Sequence, residues 1–186
     1  MGGVQRLRGP IDAVSSRATL IAAYGLLVAS IIVCIDVTLR KVWTRSILGA
    51  DEISGYAMAV ATSWGAAYAF FRGSHIRVDV VYRLFPLKVR AWLDVAAVLA
   101  LAVLSSLLAF YGGMQFAEAL AYNSAANTPL RTPLWIPLSI WAAGLLFFAL
   151  GTVVTLAEML AAIWRGDHHH VTGITGIKVG DSGKIS

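Results

Sequence analysis

The sequence predicts an all-α integral membrane protein with four transmembrane helices. Hydrophobic residues make up 58% of the 186 residues and charged residues only 13%, whereas charged residues alone make up about a quarter of a typical soluble domain. Backbone polar groups in hydrocarbon need partners within their own segment, and unbroken apolar runs lack the alternation of barrel strands, so such runs are expected to be helices. Four uncharged runs approach or exceed the roughly 20 apolar residues that a crossing takes, at 18–35, 53–71, 95–117 and 133–157.

The distribution of basic residues predicts the orientation of these helices. Eleven of the 15 Lys and Arg residues lie in the N-terminal segment, the second connection and the C-terminal tail, and four lie in the first and third connections. Cytoplasmic loops carry the excess of Lys and Arg. Both termini are therefore predicted to lie in the cytoplasm, with 1–165 forming a single membrane domain and 166–186 a flexible cytoplasmic tail. The net charge of +5 follows from this orientation, and no nucleic-acid partner is expected.

The first helix is expected at about 18–38, after a short basic lead. Its apolar run is longer than the 7–15 residues of a signal peptide and no cleavage site follows, so an uncleaved helix is expected. Asp36, near its end, is expected to be solvated at the membrane interface. Beyond it, four apolar residues are spaced to share one face of a helix: Leu39, Val42, Trp43 and Ile47. This spacing predicts an amphipathic extension of the helix at the outer interface, which Gly49 ends.

The second helix, expected at 53–71, is rich in small residues. Asp51 and Glu52 open it, where acidic side chains suit the positive end of the helix dipole. Eleven of its 19 residues are Gly, Ala, Ser or Thr, which let helices approach closely in lipid. This composition predicts close packing, either against a partner protein or within the bundle of the chain itself.

The second connection gathers charges in a chain that has few. It contains Arg72, His75, Arg77, Asp79 and Arg83 and ends at Pro86. Its apolar residues are spaced to share one helical face, and Asp79 and Arg83 form an i, i+4 pair on the other side. These features predict a short interfacial helix along the cytoplasmic surface of the membrane.

The third and fourth helices are expected at about 93–118 and 133–160, joined by an outer loop. This loop contains three prolines and leads into Trp135. Pro133 and Pro137 are predicted to start and then kink the fourth helix.

The predicted membrane segments lack the residues that carry chemistry. No ionisable side chain lies near a helix centre, where proton relays and ion paths have theirs. A haem protein would need histidines inside the bundle, and no phosphate-binding loop is present. No enzyme activity, cofactor or native metal site is therefore expected. The pattern favours an accessory transport subunit, with a stand-alone small exporter or the membrane anchor of a redox enzyme as alternatives.

A set of motifs in fixed order extends this interpretation. The chain contains Gly49-Ala-Asp-Glu-Ile-Ser-Gly-Tyr56, Arg72-Gly-Ser-His-Ile-Arg-Val-Asp79 and Thr132-Pro-Leu-Trp-Ile-Pro137. Together they resemble the small, DctQ-like membrane subunit of tripartite ATP-independent periplasmic (TRAP) transporters, over about 18–160. Glu52 matches the common acidic residue of that family at the second helix, and His75 and Asp79 match its His-x-x-x-Asp signature. Ala50 departs from the pattern, since many members carry tryptophan there.

The resemblance implies a noncatalytic scaffold subunit in the bacterial inner membrane. It would support a large membrane subunit in ion-gradient-driven uptake of an organic acid, which a periplasmic binding protein delivers. The solute itself is not predicted, because specificity would reside in the other components. The candidates for contact with the large subunit, the binding protein or membrane lipids are Arg40, Asp51, Glu52, Arg72, His75, Arg77, Asp79, Arg83, Arg131 and Trp135.

Overall fold

Helices account for nearly all of the described chain. The computed structural model describes residues 2–72, 86–128 and 130–165, with side chains except those of 2–14, 87 and 88. In these ranges the chain forms four helices and no strand, which confirms the all-α prediction. The helices are α1 (Gly2–Trp43), α2 (Ala50–Phe71), α3 (Leu87–Ala121) and α4 (Trp135–Trp164).

Three of these helices contain segments long and apolar enough to cross a membrane, namely Ser15–Trp43, Val89–Ala121 and Trp135–Trp164. The remaining helix, α2, has 22 residues, which at 1.5 Å per residue span about 33 Å, close to the thickness of the hydrocarbon core. Its small and hydroxyl-bearing residues make it less hydrophobic than the membrane-spanning segments of the other three helices. A fourth crossing therefore stays a prediction, as does the orientation of the termini.

The helices pack in the spatial order α1, α2, α4, α3, through three main interfaces. The small residues of α2 serve two of these interfaces, because α2 lies between α1 and α4. Ala50, Ser63 and Ala67 of α2 are buried, and Ser63 lies against Gly144 of α4. Some of the small residues of α2 are therefore explained by packing within the chain itself.

The interface between α1 and α2 follows a seven-residue spacing. Ser15, Ala22, Ala29 and Asp36 are the buried residues of the described side chains of α1. A strict spacing of seven keeps one face of a helix against its partner, as in a coiled coil. The other faces of α1 carry large exposed apolar side chains, and only 11% of its apolar segment is buried in the chain, against 33% in α4.

The interface between α3 and α4 repeats the same geometry. Its buried residues on α3 follow alternating spacings of three and four, from Ala91 through Val95, Val98, Ala102 and Ser105. On α4, Thr152 and Met159 face this seam, and the hydroxyls of Ser105 and Thr152 form a buried hydrogen bond of 2.7 Å. A polar pair thus joins the two helices across a mostly apolar seam.

Trp64 of α2 connects three helices. Its backbone carbonyl accepts a hydrogen bond from Thr19 Oγ1 of α1 at 3.1 Å. Its indole Nε1 donates to the carbonyl of Ile140 on α4 at 3.2 Å, and its ring stacks on Phe147 at a centroid distance of 5.8 Å. Trp64 therefore fixes the register of the central pair α2 and α4 and also their position against α1.

The boundaries of α1 differ from those predicted. The helix continues from Gly2 to Trp43, so the basic lead and the start of the amphipathic extension belong to one helix. Thr44 ends it by adopting a left-handed backbone conformation, with φ 55°. The prediction that Ile47 lies on the helical face of Trp43, with Gly49 as the breaker, is wrong; Gly49 precedes α2 instead.

The prolines of the outer loop also act differently from the prediction. Pro133 lies before α4 in an isolated antiparallel bridge with Ala125, so it does not start the helix. Pro137 is the third residue of α4. The first four N–H groups of a helix have no helical acceptor, so a proline there removes no helical hydrogen bond.

Candidate functional site

The two described connections between helices meet at one end of the bundle, which we call the loop end (44–49 and 122–134). Gly49 contacts the side chain of Leu130, and Glu52 bonds to Thr128. The C-termini of α1 and α3 and the N-termini of α2 and α4 therefore lie close together. Half of the predicted contact residues lie here: Arg40, Asp51, Glu52, Arg131 and Trp135.

Asp36 fastens the end of α1 to the following loop. Its side chain is 1% exposed. One carboxylate oxygen, Oδ1, accepts hydrogen bonds from Ser46 Oγ at 2.9 Å and the backbone N–H of Ile47 at 2.5 Å. The other, Oδ2, accepts one from Arg40 Nη2 at 2.6 Å. The prediction that Asp36 is solvated is therefore wrong: this carboxylate is buried because the chain folds back over it.

Glu52 fastens the other connection to α2. Its Oε1 accepts a hydrogen bond from the phenol of Tyr56 at 2.6 Å, and its Oε2 accepts one from Thr128 Oγ1. Glu52 is half-buried at the first turn of α2. The hydrogen bonds from Thr128 and then Tyr56 hold the pKa of this carboxyl below its usual range, because they stabilise the charged form. Glu52 thus joins two segments that lie 76 residues apart in sequence.

The described residues of the segment 122–134, which are all but 129, form a short hairpin closed by its own backbone hydrogen bonds. Ala126 N donates to Thr132 O and Leu134 N donates to Ser124 O, both at 2.9 Å. The hairpin tip lies against Gly49, whose φ of 88° favours glycine. A Cβ atom at this position would overlap Leu130, with only 1.9 Å between the two carbons. Gly49 therefore allows both the backbone turn and the seating of the hairpin.

The remaining loop-end candidates are exposed. Asp51 lies in the first turn of α2, and Trp135 is the first residue of α4, with 39% of its surface exposed. Arg131 is exposed on the hairpin and has a left-handed backbone, with φ 47°. Among the described residues, the only ion pair of the loop end is that of Arg40 with Asp36.

Arg72 lies at the opposite end of the bundle. Its guanidinium carbon is 5.3 Å from the centre of the Tyr68 ring, within the range of a cation–π contact. His75, Arg77, Asp79 and Arg83 lie outside the described residues, as does the interfacial helix predicted around them. The structure therefore groups half of the candidates at the loop end and leaves Arg72 apart from them.

Sequence reasoning missed some of the residues that hold the fold together. The position of Asp36 near a helix end predicts solvation, but Ala22, Ala29 and Asp36 follow one another at intervals of seven, which marks the buried seam. Asp94 is also buried, beside the apolar cluster that contains Ala91 and Met159. In the part of the chain that the structure describes, no group of three or more His, Cys, Asp or Glu side chains could hold a metal ion.

The fold and site define a class of protein: a helical membrane protein in which polar side chains such as Asp36, Glu52 and Ser105 join helices and loops to one another. Comparison with protein families makes the assignment specific. The chain belongs to the family described as the DctQ component of tripartite ATP-independent periplasmic transporters, whose model matches residues 29–162. This confirms the resemblance in the sequence and makes the chain a component of a transporter family rather than of an enzyme family. Comparisons with curated proteins and with solved structures gave no match.

Proposed function

We propose that this chain is the scaffold subunit of a TRAP transporter that takes up an organic acid, driven by an ion gradient. The family match over 29–162 carries this proposal. The internal polar contacts support it, because the hydroxyls of Ser105 and Thr152 and the carboxylates of Asp36 and Glu52 are hydrogen-bonded within the chain. Groups engaged in this way hold helices in place. The large membrane subunit would then carry out transport.

The helix order suggests how the scaffold works. α1 and α3 lie at the edges of the bundle, and each presents large exposed apolar side chains along the part whose side chains are described. In lipid, helices associate through close packing and hydrogen bonds rather than through the hydrophobic effect. The internal hydrogen bonds would keep these edges rigid, so that the large subunit is held at a constant position in the membrane.

The proposed orientation places the loop end in the periplasm and the Arg72 end at the cytoplasmic face. The soluble binding protein would then approach the loop end. The basic residues at the opposite end would lie among anionic lipid headgroups, where each Lys or Arg near the surface contributes about 1 kcal/mol. The localisation that follows is the bacterial inner membrane.

The orientation can be measured by thiol labelling. Single cysteines at Ser74 and Asn127, in a Cys34→Ser background, are treated with an impermeant thiol reagent from outside. The cysteine at 127 should be labelled in intact cells and that at 74 only after lysis. Labelling at 74 but not at 127 in intact cells would reverse the orientation.

The scaffold function is tested by leaving the chain out. The large subunit and the binding protein are expressed with and without it, and uptake of the solute retained by the purified binding protein is followed. Uptake should be lost without this chain, whereas solute binding by the binding protein alone should be unchanged. Full uptake by the other two components would refute the proposed function.

A further inference from the structure

We infer that Arg131 is a contact residue for an acidic side chain of the soluble binding protein, and that Glu52 is the residue that positions it. This inference rests on the proposed function and orientation, because it needs the loop end to face the binding protein. Its basis is the geometry of the hairpin tip.

Two residues near the tip, Thr128 and Leu130, are held by contacts with the start of α2 and the residue before it. Thr128 bonds to Glu52, and Leu130 packs against Gly49. Between these anchors and the helix, the backbone N–H of Arg131 donates to the carbonyl of Thr128 at 3.0 Å and closes the turn. A side chain on such a turn starts from a fixed backbone, so less freedom is lost when it binds a partner.

The backbone of the tip does not explain an arginine at this position. The φ of 47° is a left-handed conformation that glycine and asparagine adopt at lower cost. Arg131 is exposed, and none of the acidic side chains in the described ranges pairs with it. Asp36 already forms an ion pair with Arg40. The carboxylate of Glu52 accepts hydrogen bonds from the hydroxyl groups of Tyr56 and Thr128.

The chemistry of the side chain indicates its partner. A guanidinium presents donors in a planar fork that matches the two oxygens of a carboxylate. An exposed arginine on a rigid tip, without an ion pair of its own in the described chain, is therefore suited to a surface Asp or Glu of a protein arriving from solution. A phosphate headgroup of the membrane would offer similar oxygens, and the experiment separates the two.

The test measures binding of fluorescently labelled binding protein to the complete membrane complex in nanodiscs. The variants are Arg131→Ala, Arg131→Lys and Arg131→Glu, with Arg45→Ala as the matched control, since Arg45 is also exposed and lies in the other connection of the loop end. We expect the dissociation constant to rise about 3-fold for Ala and about 10-fold for Glu, with a smaller rise for Lys and none for the control. Added salt should reduce these differences.

Glu52→Ala tests positioning separately from charge. Removing an acidic group near the site would strengthen binding to an acidic partner if only the electrostatic field mattered. We expect the opposite, about 3-fold weaker binding, together with faster hydrogen exchange at Ala126 and Leu134.

The outcomes distinguish the two proposals. Unchanged binding by Arg131→Glu refutes the contact with the binding protein. Equal shifts for the Arg131 and Arg45 variants also refute it, since they would show a general effect of charge. Tighter binding by Glu52→Ala refutes the positioning role. Uptake that does not need this chain at all would instead refute the scaffold function.

Discussion

α2 and α4 approach each other closely at Gly144, and substitution there is a sharp test of the helix order. A Cβ atom on Gly144 would lie 2.6 Å from Ser63 Oγ and 3.0 Å from both Ser63 Cβ and Trp64 Cδ1. Rotation of the serine hydroxyl could relieve the first contact. It could not relieve the other two, so Gly144→Ala must push the helices apart by several tenths of an ångström.

The expected cost follows from three contributions. Overpacking of a close interface costs about 1–3 kcal/mol. Separation of the helices also lengthens the 3.2 Å hydrogen bond from Trp64 Nε1 to the Ile140 carbonyl, whose loss would cost about 1 kcal/mol. The greater helix propensity of alanine offsets about 1 kcal/mol. The net expectation is a destabilisation of about 1–3 kcal/mol.

The matched control is Gly113→Ala on α3. A Cβ atom at Gly113 has no neighbour within 4 Å, so this variant should be unchanged or more stable by up to about 1 kcal/mol. The free energy of unfolding is measured for the isolated chain in detergent micelles, by titration with SDS and tryptophan fluorescence. If Gly144→Ala is as stable as Gly113→Ala, the close packing of α2 on α4 described above is wrong.

Three further predictions concern the polar contacts. Thr152→Val keeps the side-chain shape but removes the hydrogen bond to Ser105, and should lower the free energy of unfolding by about 0.6–1.7 kcal/mol in the same titration. The double variant with Ser105→Ala should show no further decrease, because the same hydrogen bond is already absent. Asp36→Ala should cost about 1–3 kcal/mol, because it leaves the Ile47 N–H and other donors without acceptors; Asp36→Asn keeps an acceptor and should cost less, so equal costs would contradict the network. Because the folded-state pKa of Glu52 is lowered, its contribution to hairpin stability is complete above its ordinary value of 4.5 and is lost as the pH falls through the lower folded value. Hydrogen exchange of the hairpin amides is measured and corrected for the intrinsic exchange rate at each pH. The protection of these amides should decline only below about pH 4.5. The variant Glu52→Gln, measured in parallel, should lack this pH dependence.

Much of the fold could be predicted because membrane insertion depends on local composition. A segment of consecutive apolar residues enters hydrocarbon whatever the rest of the chain does, so the spans within α1, α3 and α4 were recognisable from their own residues. The family could also be predicted, since its motifs occur in order along the chain. The prediction for α2 was less complete, because its small residues suit close packing at the expense of hydropathy.

The candidate site was predicted in part. Glu52 and Arg131 stood out as charged residues in a chain with few charges, and both lie at the loop end. Their relation could not be predicted, because the link between them is Thr128, which carries no charge and lies 76 residues after Glu52. Asp36 was misjudged for the same reason: its partners Ser46 and Ile47 come after the end of α1, and their return towards the helix depends on the conformation of Thr44.

The sequence by itself determined that this protein enters a membrane as helices and belongs to a transporter family, because these properties depend on which residues follow one another. Only the tertiary structure decided which helices are neighbours and which polar groups join them. Hydrophobicity does not choose between apolar faces when lipid is as apolar as a partner helix. The choice depends on close fits such as Gly144 against Ser63 and on hydrogen bonds such as Thr128 to Glu52, which exist only once distant segments meet.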